Sequence, residues 1–260
     1  MKLSDIIYAP LSIKALRKRV IFYLKHFFYP ELEFEIPVGE NLIAPITFYD
    51  SYDSFSEIFL QCEYDFILEH IDGRNLSWLD IGCNNGYFSL WLERELQKLN
   101  KSCLQAVLID ADSRSQLSVP RLIQRNELGR FSFINKAIGK EEFVSFYERP
   151  FMASSTKEGD GELRKIQTLR ASDLEDQRLW DLIKVDIEGS EWELIQNYEY
   201  LLLNCRFLLL EWHSWHAGGG GKIQLLHVLN DMGFRIVEET SEINAVGIEG
   251  SVGVILLEKC

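Results

Sequence analysis

Short, continuously apolar runs alternate with helical stretches along most of this 260-residue chain, and that rhythm is the feature that most constrains its fold. Trp78–Ile81, Leu104–Ile109, Phe131–Ile134, Leu182–Val185 and Arg206–Leu210 read as strands. Tyr87–Leu99, Gln116–Asn126, Glu191–Leu203 and Ile223–Met232 carry helical periodicity. Phe234–Glu238 and Val252–Leu257 add two closing strands. Strands covered by helices on both faces are apolar at every position rather than every second one. The runs AVLI (Ala106–Ile109) and FLLL (Phe207–Leu210) have that character. The expectation is an α/β fold with a mostly parallel sheet. Phe143–Gln167 breaks the rhythm, because FVSFYE followed by MASSTKEGDGE reads as a β-rich insertion with a loop.

The chain before the first strand differs in composition. Within residues 1–30, six cations (Lys2, Lys14, Arg17, Lys18, Arg19, Lys25) stand against Asp5 alone. Leu16, Val20, Tyr23, Leu24, Phe27 and Phe28 recur at three- and four-residue intervals, the mark of an amphipathic helix. Two settings suit such a helix: packing on the protein's own acidic body, or peripheral contact with an anionic membrane surface. Pro30, Pro37 and Pro45 forbid a long helix between Glu31 and Pro45, and a further helix is expected from Phe55 to Ile71.

Charge and cysteine usage exclude several classes of function. The net charge of −13 opposes binding to nucleic acid, which requires Lys and Arg to displace counterions. Cys62, Cys83, Cys103, Cys205 and Cys260 are scattered without a CxxC pair, as expected of free thiols in a reducing compartment. No apolar run approaches the roughly 20 residues of a membrane span, and Asp5 and Pro10 interrupt any secretory signal. A cytoplasmic chain is expected, at the inner membrane surface if residues 1–30 lie on lipid.

The densest motif follows the first of the regular strands. DIGCNNG, Asp80 to Gly86, leads from strand to helix, with glycines placed for a tight turn and for close approach at the helix start. Backbone N–H groups there attract an anion. The spacing differs from both dinucleotide and phosphate-loop signatures, so NAD and ATP fit poorly. Asp110 ends the next strand, where an acid can accept hydrogen bonds from ribose hydroxyls. The alternative for Asp80 is a loop-capping carboxylate, and for Asp110 a surface turn.

DIGCNNG, Asp110, IKVDIEGSEWELI (Ile183–Ile195) and LLLEWH (Leu208–His213) together resemble the FkbM family of class I S-adenosylmethionine-dependent methyltransferases. The likeness spans about Glu63 to His213, and Lys-x-Asp-x-Glu-Gly-x-Glu is its most specific part. The resemblance implies a Rossmann-like seven-stranded sheet flanked by helices, here with an N-terminal helical extension (1–72, a cap on the substrate side) ahead of the methyltransferase domain (73–260). It implies O-methylation of a sugar, glycan or polyketide-type hydroxyl, a small-molecule or glycan acceptor, and S-adenosyl-L-methionine as cofactor. It places Asp80, Gly82, Asn84 and Gly86 around the methionine moiety, Asp110 on the ribose, and Asn135–Ala137 beside the adenine. IDAD (Ile109–Asp112) replaces the family's usual Glu-Pro, and Cys83 its usual Ala. Glu63 either faces the cofactor's amino group or is a solvated helix residue.

Methyl transfer to a hydroxyl requires an aligned acceptor and a proton acceptor. Asp186, Glu188, Glu211 and His213 lie at the ends of two expected neighbouring strands, where open α/β sheets bind ligands. His213 is the expected base, with Asp186 positioning the acceptor or serving as base itself. The same four residues also suit a divalent cation, although no metal is required. Structural roles remain open for Glu191 (helix capping), Lys184 (neutralising buried acids) and Glu188 (bonding its own turn). Ser154, Ser155, Trp215 and His216 are candidates for touching the acceptor, and Gly218–Gly221 for a lid or linker. N- or carboxyl-methylation, or a silent cofactor-binding module, are the competing functions.

Overall fold

A computed structural model describes residues 34–48, 50–71, 75–149, 154, 156, 161–174, 179–214, 221–244 and 250–260. The amphipathic segment 1–30, Ser155, Trp215, His216 and Gly218–Gly220 lie outside the described residues. The first described element is a hairpin rather than a helix: β1 (Phe34–Pro37) pairs antiparallel with β2 (Ile43–Ile46). Pro37 and Pro45 are tolerated because each strand has only one partner among the described residues. Asn126 fastens the hairpin to the body, accepting from Ile43 N–H at 2.7 Å and donating to Ile43 O at 2.8 Å.

Helix α1 (Ser51–Phe59) ends at Phe59, well short of the Ile71 expected for it. Cys62 adopts φ 59°, a left-handed turn that breaks the helix, and a 3-10 turn follows at Asp65–Glu69. The break turns Glu63 and Tyr64 toward the sheet. Beyond it come β3 (Leu76–Ile81), α2 (Tyr87–Lys98), β4 (Cys103–Asp110), α3 (Ser115–Arg125) and β5 (Phe131–Asn135). The insertion is a hairpin of β6 (Phe143–Glu148) and β7 (Glu162–Gln167), as its composition suggested. The remainder is β8 (Trp180–Val185), α4 (Glu191–Asn197), α5 (Glu199–Leu203), β9 (Cys205–His213), α6 (Gly221–Asp231), β10 (Phe234–Glu239), β11 (Ile243–Asn244) and β12 (Ser251–Lys259). The expected helix Glu191–Leu203 is split at Tyr198, whose buried hydroxyl shares its one proton between Gly139 O (3.0 Å) and Leu169 O (3.1 Å).

The sheet runs β10-β12-β9-β8-β3-β4-β5, with the short β11 on β12. Pairings β5–β4, β4–β3, β3–β8 and β8–β9 are parallel, and β12 runs antiparallel between β9 and β10. This is the expected seven-stranded, mostly parallel sheet. Successive residues of β3 face opposite sides. Leu76 and Trp78 join a core with α2, α3, α1 and the β1–β2 hairpin, whereas Leu79 and Ile81 join one with α4, α5 and α6. Residues 34–71 therefore share a core with the sheet.

After β3 the chain builds outward through β4 and β5. It then returns to β8 on the other side of β3. The strand order thus reverses between β3 and β8, and a crevice opens beyond their carboxyl ends.

Candidate active site

Two loops meet across that crevice. Gly82 (φ 79°) follows β3, and a Cβ built there would stand 1.6 Å from the carbonyl oxygen of Asp186, which follows β8. Only glycine permits so close a crossing. The Asp186 N–H donates to Ile81 O at 3.0 Å and locks the crossing. Gly86 (φ 78°) begins α2 in the left-handed region, with Leu108 3.1 Å from its would-be Cβ. Asn84 and Glu188, one in each loop, both hold φ near 50°. Such conformations cost about 1–3 kcal/mol each and concentrate where ligands bind.

The loops open onto a cavity of about 510 Å³, within the size range of small-molecule sites. One half lies over the tips of β4 and β5. Asp110 accepts there from Asn84 N–H (2.6 Å) and Asp112 N–H (2.7 Å), and burial outweighs those bonds to push its carboxyl up to about 6. Ile109, Ala137, Ile138 and Phe146 supply an apolar wall.

The other half is acidic. Glu57, Glu63, Asp186, Glu188 and Glu211 all line it. Burial pushes Glu188 up to about 7, with His213 opposing. Burial and the Asp186 charge raise Glu63, and the same causes plus Glu63 hold Glu211 well above the usual carboxylate range. Tyr64 Oη donates to Glu211 at 3.4 Å. Lys184 sits at the centre, its Nζ 3.1 Å from Asp186 Oδ2, 3.2 Å from Gly82 O and 3.8 Å from Asp80 Oδ1. Burial opposes its charge, but Asp186, Asp80 and Glu211 outweigh that and raise it.

Sequence and geometry meet at this point. Residues 80–236, more than half of the chain, match the Methyltransferase FkbM domain. The chain belongs to the FkbM methyltransferase family. In backbone shape it is similar to magnesium protoporphyrin IX methyltransferase from Synechocystis PCC 6803, a structure with bound SAM. That likeness covers 97% of this chain and 99% of the other, with a TM-score of 0.50 at 11% identity, and is a likeness of fold. Methyltransferase FkbM from Methylobacillus flagellatus KT aligns over 70% of this chain and 43% of its own (TM-score 0.41, 13% identity). N-methyltransferase NodS from Bradyrhizobium japonicum WM9 aligns over 76% and 96% (TM-score 0.45, 14% identity). No curated protein matches by sequence.

The FkbM domain brings most of the expected residues together. Gly82, Asn84, Asp110, Ala137, Ser154, Asp186, Glu188 and Glu211 all border the one cavity. Several roles differ from expectation. Asp80 is fully buried behind the loop, accepting from Ser89 Oγ at 2.7 Å, and does not line the cavity. Asn135 ties strand tips together, donating to Asp110 O (2.8 Å) and Asp112 O (3.2 Å). Ala137 has both backbone groups committed, to Gln167 O and Leu169 N–H, so it offers an adenine only its apolar surface. Ser154 bonds Asp112 Oδ2 (2.8 Å) at the β4 end, away from the acidic half.

His213 requires the largest correction. It is 2% exposed and its Nδ1 lies 2.9 Å from Glu191 Oε1, with Glu191 wholly buried. Burial disfavours the imidazolium, but Glu191, Glu188 and Asp186 outweigh it and push the ring up to about 10. The surroundings therefore favour the charged ring, which opposes the role of base expected for it. Glu191 engages His213 and Gly189 N–H (3.1 Å) rather than merely capping α4. Of the two settings open to Glu63 the structure shows it lining the cavity rather than facing solvent, carried there by a helix break that the sequence pattern does not reveal; Glu57 and Tyr64 line the cavity too, and no motif marks them.

All five cysteines are free, with Cys62 and Cys260 exposed. No helix among the described residues is long and apolar enough to cross a membrane.

Proposed function

We propose that the chain moves the methyl group of S-adenosylmethionine onto a hydroxyl of a sugar, glycan or polyketide-type product. The observation that carries this reading is the union, in one cavity, of a ribose-type acid at the β4 tip (Asp110) with acids at the β8 and β9 tips (Asp186, Glu211). The cavity's donor chemistry suits the cofactor: an acid for a diol, an apolar wall for a purine, and carboxylates for a sulfonium. Gly82 and Asn84 would hold the methionine end, Asp110 the ribose, and Ile109, Ala137, Ile138 and Phe146 the adenine, whereas Gly86 stands off the cavity, donating to Cys83 O and packing against Leu108. When bound, the cofactor supplies an electrophilic methyl carbon.

This chain's own residues then have distinct tasks. Asp186, locked to β3 by its backbone and to Lys184 by its side chain, orients the acceptor hydroxyl. Glu188, two residues on and in the same cavity, takes the hydroxyl proton. Lys184 donates to Asp186 Oδ2 and to the Gly82 carbonyl, tying the two loops together. His213 and Glu191 support this wall from behind.

Methyl transfer to an amine is the second reading. The five carboxylates of the acidic half favour it, since they attract an ammonium group. The test is calorimetry with S-adenosylhomocysteine, followed by transfer of labelled methyl to paired hydroxyl and amine acceptors. Asp186→Ala is expected to abolish transfer while leaving S-adenosylhomocysteine bound. Absence of binding heat would refute the reading, and transfer to amines alone would replace hydroxyl with nitrogen.

A further inference from the structure

The acidic half of the cavity and the buried ring of His213 behind its wall hold more ligating groups than orienting and deprotonating one hydroxyl requires. Asp186, Glu211 and His213 each present one donor atom, and these atoms all lie within 4.8 Å of one another. Donors bound to one cation at about 2.0–2.6 Å stand no more than about 5 Å apart even on opposite sides. Asp186 follows the tip of β8, and Glu211 and His213 share one face of the neighbouring β9, so the strands themselves set this spacing.

The imidazole is oriented as a ligating ring would be. Its Nδ1 is fixed by Glu191 at 2.9 Å, which turns Nε2 toward Glu188 Oε2 (3.7 Å) and Glu211 Oε1 (3.8 Å). Those separations are too long for hydrogen bonds but suit groups arranged around a common ion. A carboxylate behind a histidine is the usual support of a metal-binding imidazole. A second observation stands apart from the cluster's spacing. Glu191 is 0% exposed, and its Oε2 finds no hydrogen-bond partner among the described residues. A negative charge buried directly behind the ring is balanced by positive charge on the ring, supplied by a proton or by a metal ion at Nε2.

We propose that Asp186, Glu211 and His213 form a binding site for a divalent cation of the magnesium–manganese class. Two carboxylates with one imidazole and no thiolate select hard or borderline ions. The cation and the ring proton compete for Nε2, and the same carboxylates favour either. The role of the ion rests on the methyl-transfer reading. Beside Asp186 it binds two adjacent oxygens of the acceptor, such as a vicinal diol, and acidifies the hydroxyl to be methylated.

The test uses the full chain, stripped of metal by a chelator and titrated with manganese(II) chloride at pH 7.5. Free ion is read by electron paramagnetic resonance, and S-adenosylhomocysteine binding is measured on the same samples by calorimetry. One equivalent of manganese is expected to bind. Asp186→Asn and Glu211→Gln, which border the cavity rather than the core, are each expected to weaken binding at least tenfold. Glu191→Gln should weaken it about 10–100-fold through the ring it supports. Glu162→Gln, an exposed acid on β7, should leave binding unchanged.

No stoichiometric binding, unchanged binding in Asp186→Asn and Glu211→Gln, or an equal loss in Glu162→Gln would each overturn the site. If S-adenosylhomocysteine still bound in those cases, the methyl-transfer reading would stand without the ion. Manganese bound without any S-adenosylhomocysteine heat would support the site and fault that reading alone. Binding of glucosamine to a protein that ignores manganese would assign the acids to an ammonium and overturn the ion.

Discussion

Replacing Gly82 by alanine tests the crossing on which the site is built. The new methyl group would stand 1.6 Å from Asp186 O and 2.6 Å from its carbonyl carbon, and both are backbone atoms that no rotamer change can move aside. The loops after β3 and β8 would have to part by well over 1 Å. That parting stretches the 3.0 Å bond from Asp186 N–H to Ile81 O, a loss of about 0.5–1.5 kcal/mol. An L residue at φ 79° adds about 1–2 kcal/mol. A total near 2–3 kcal/mol lowers the melting temperature by about 5–10 °C in a domain of this size. Lys184, 3.2 Å from Gly82 O, and Asp186 move with the loop, so S-adenosylhomocysteine affinity should fall at least tenfold. Gly129→Ala is the control, because nothing lies within 4 Å of its would-be Cβ. Differential scanning calorimetry and ligand titration of both variants read the outcome. If Gly82→Ala melted within 2 °C of Gly129→Ala and bound the ligand equally well, the close-crossing argument would be wrong.

Three further outcomes follow from buried groups. Burial raises Asp110 from 3.8 to about 6, so the folded chain holds an extra proton between those values; its share of stability falls as pH rises through them, while affinity for a ribose diol rises. S-adenosylhomocysteine binding should be about tenfold weaker at pH 5 than at pH 7.5, and Asp110→Asn should flatten that profile. Ser89→Ala strips Asp80 Oδ2 of its donor (2.7 Å) and Trp78 Nε1 of its acceptor (2.9 Å). Urea unfolding should show a loss of about 1–3 kcal/mol for each orphaned group. Tyr198→Phe leaves Gly139 N–H without its 3.2 Å partner and should cost a similar 1–3 kcal/mol while ligand affinity stays unchanged.

The local pattern was sufficient for the sheet. Runs such as AVLI and FLLL are apolar throughout because helices cover both faces, and that signature does not depend on distant contacts. The motif at Ile183–Ile195 likewise placed Asp186 and Glu188 correctly, because a strand tip and its turn are fixed by neighbouring residues. The hairpin at residues 34–46 was missed because its strands are short and carry prolines, and they are held by Asn126, far along the chain.

Sequence alone determined the fold class, the family and which acids stand at strand ends, since each is set by residue type and short-range spacing. Only the tertiary structure decided what those groups are. It sealed Asp80 behind Ser89, committed Ala137's backbone to β7, and brought Glu63 and Glu57 into the cavity. It also surrounded His213 with Glu191, Glu188 and Glu211. The physical reason is that charge state follows burial and neighbouring charge, and both depend on residues far apart in the chain. Glu191 lies 22 residues from His213, yet it orients that ring and favours its charged form.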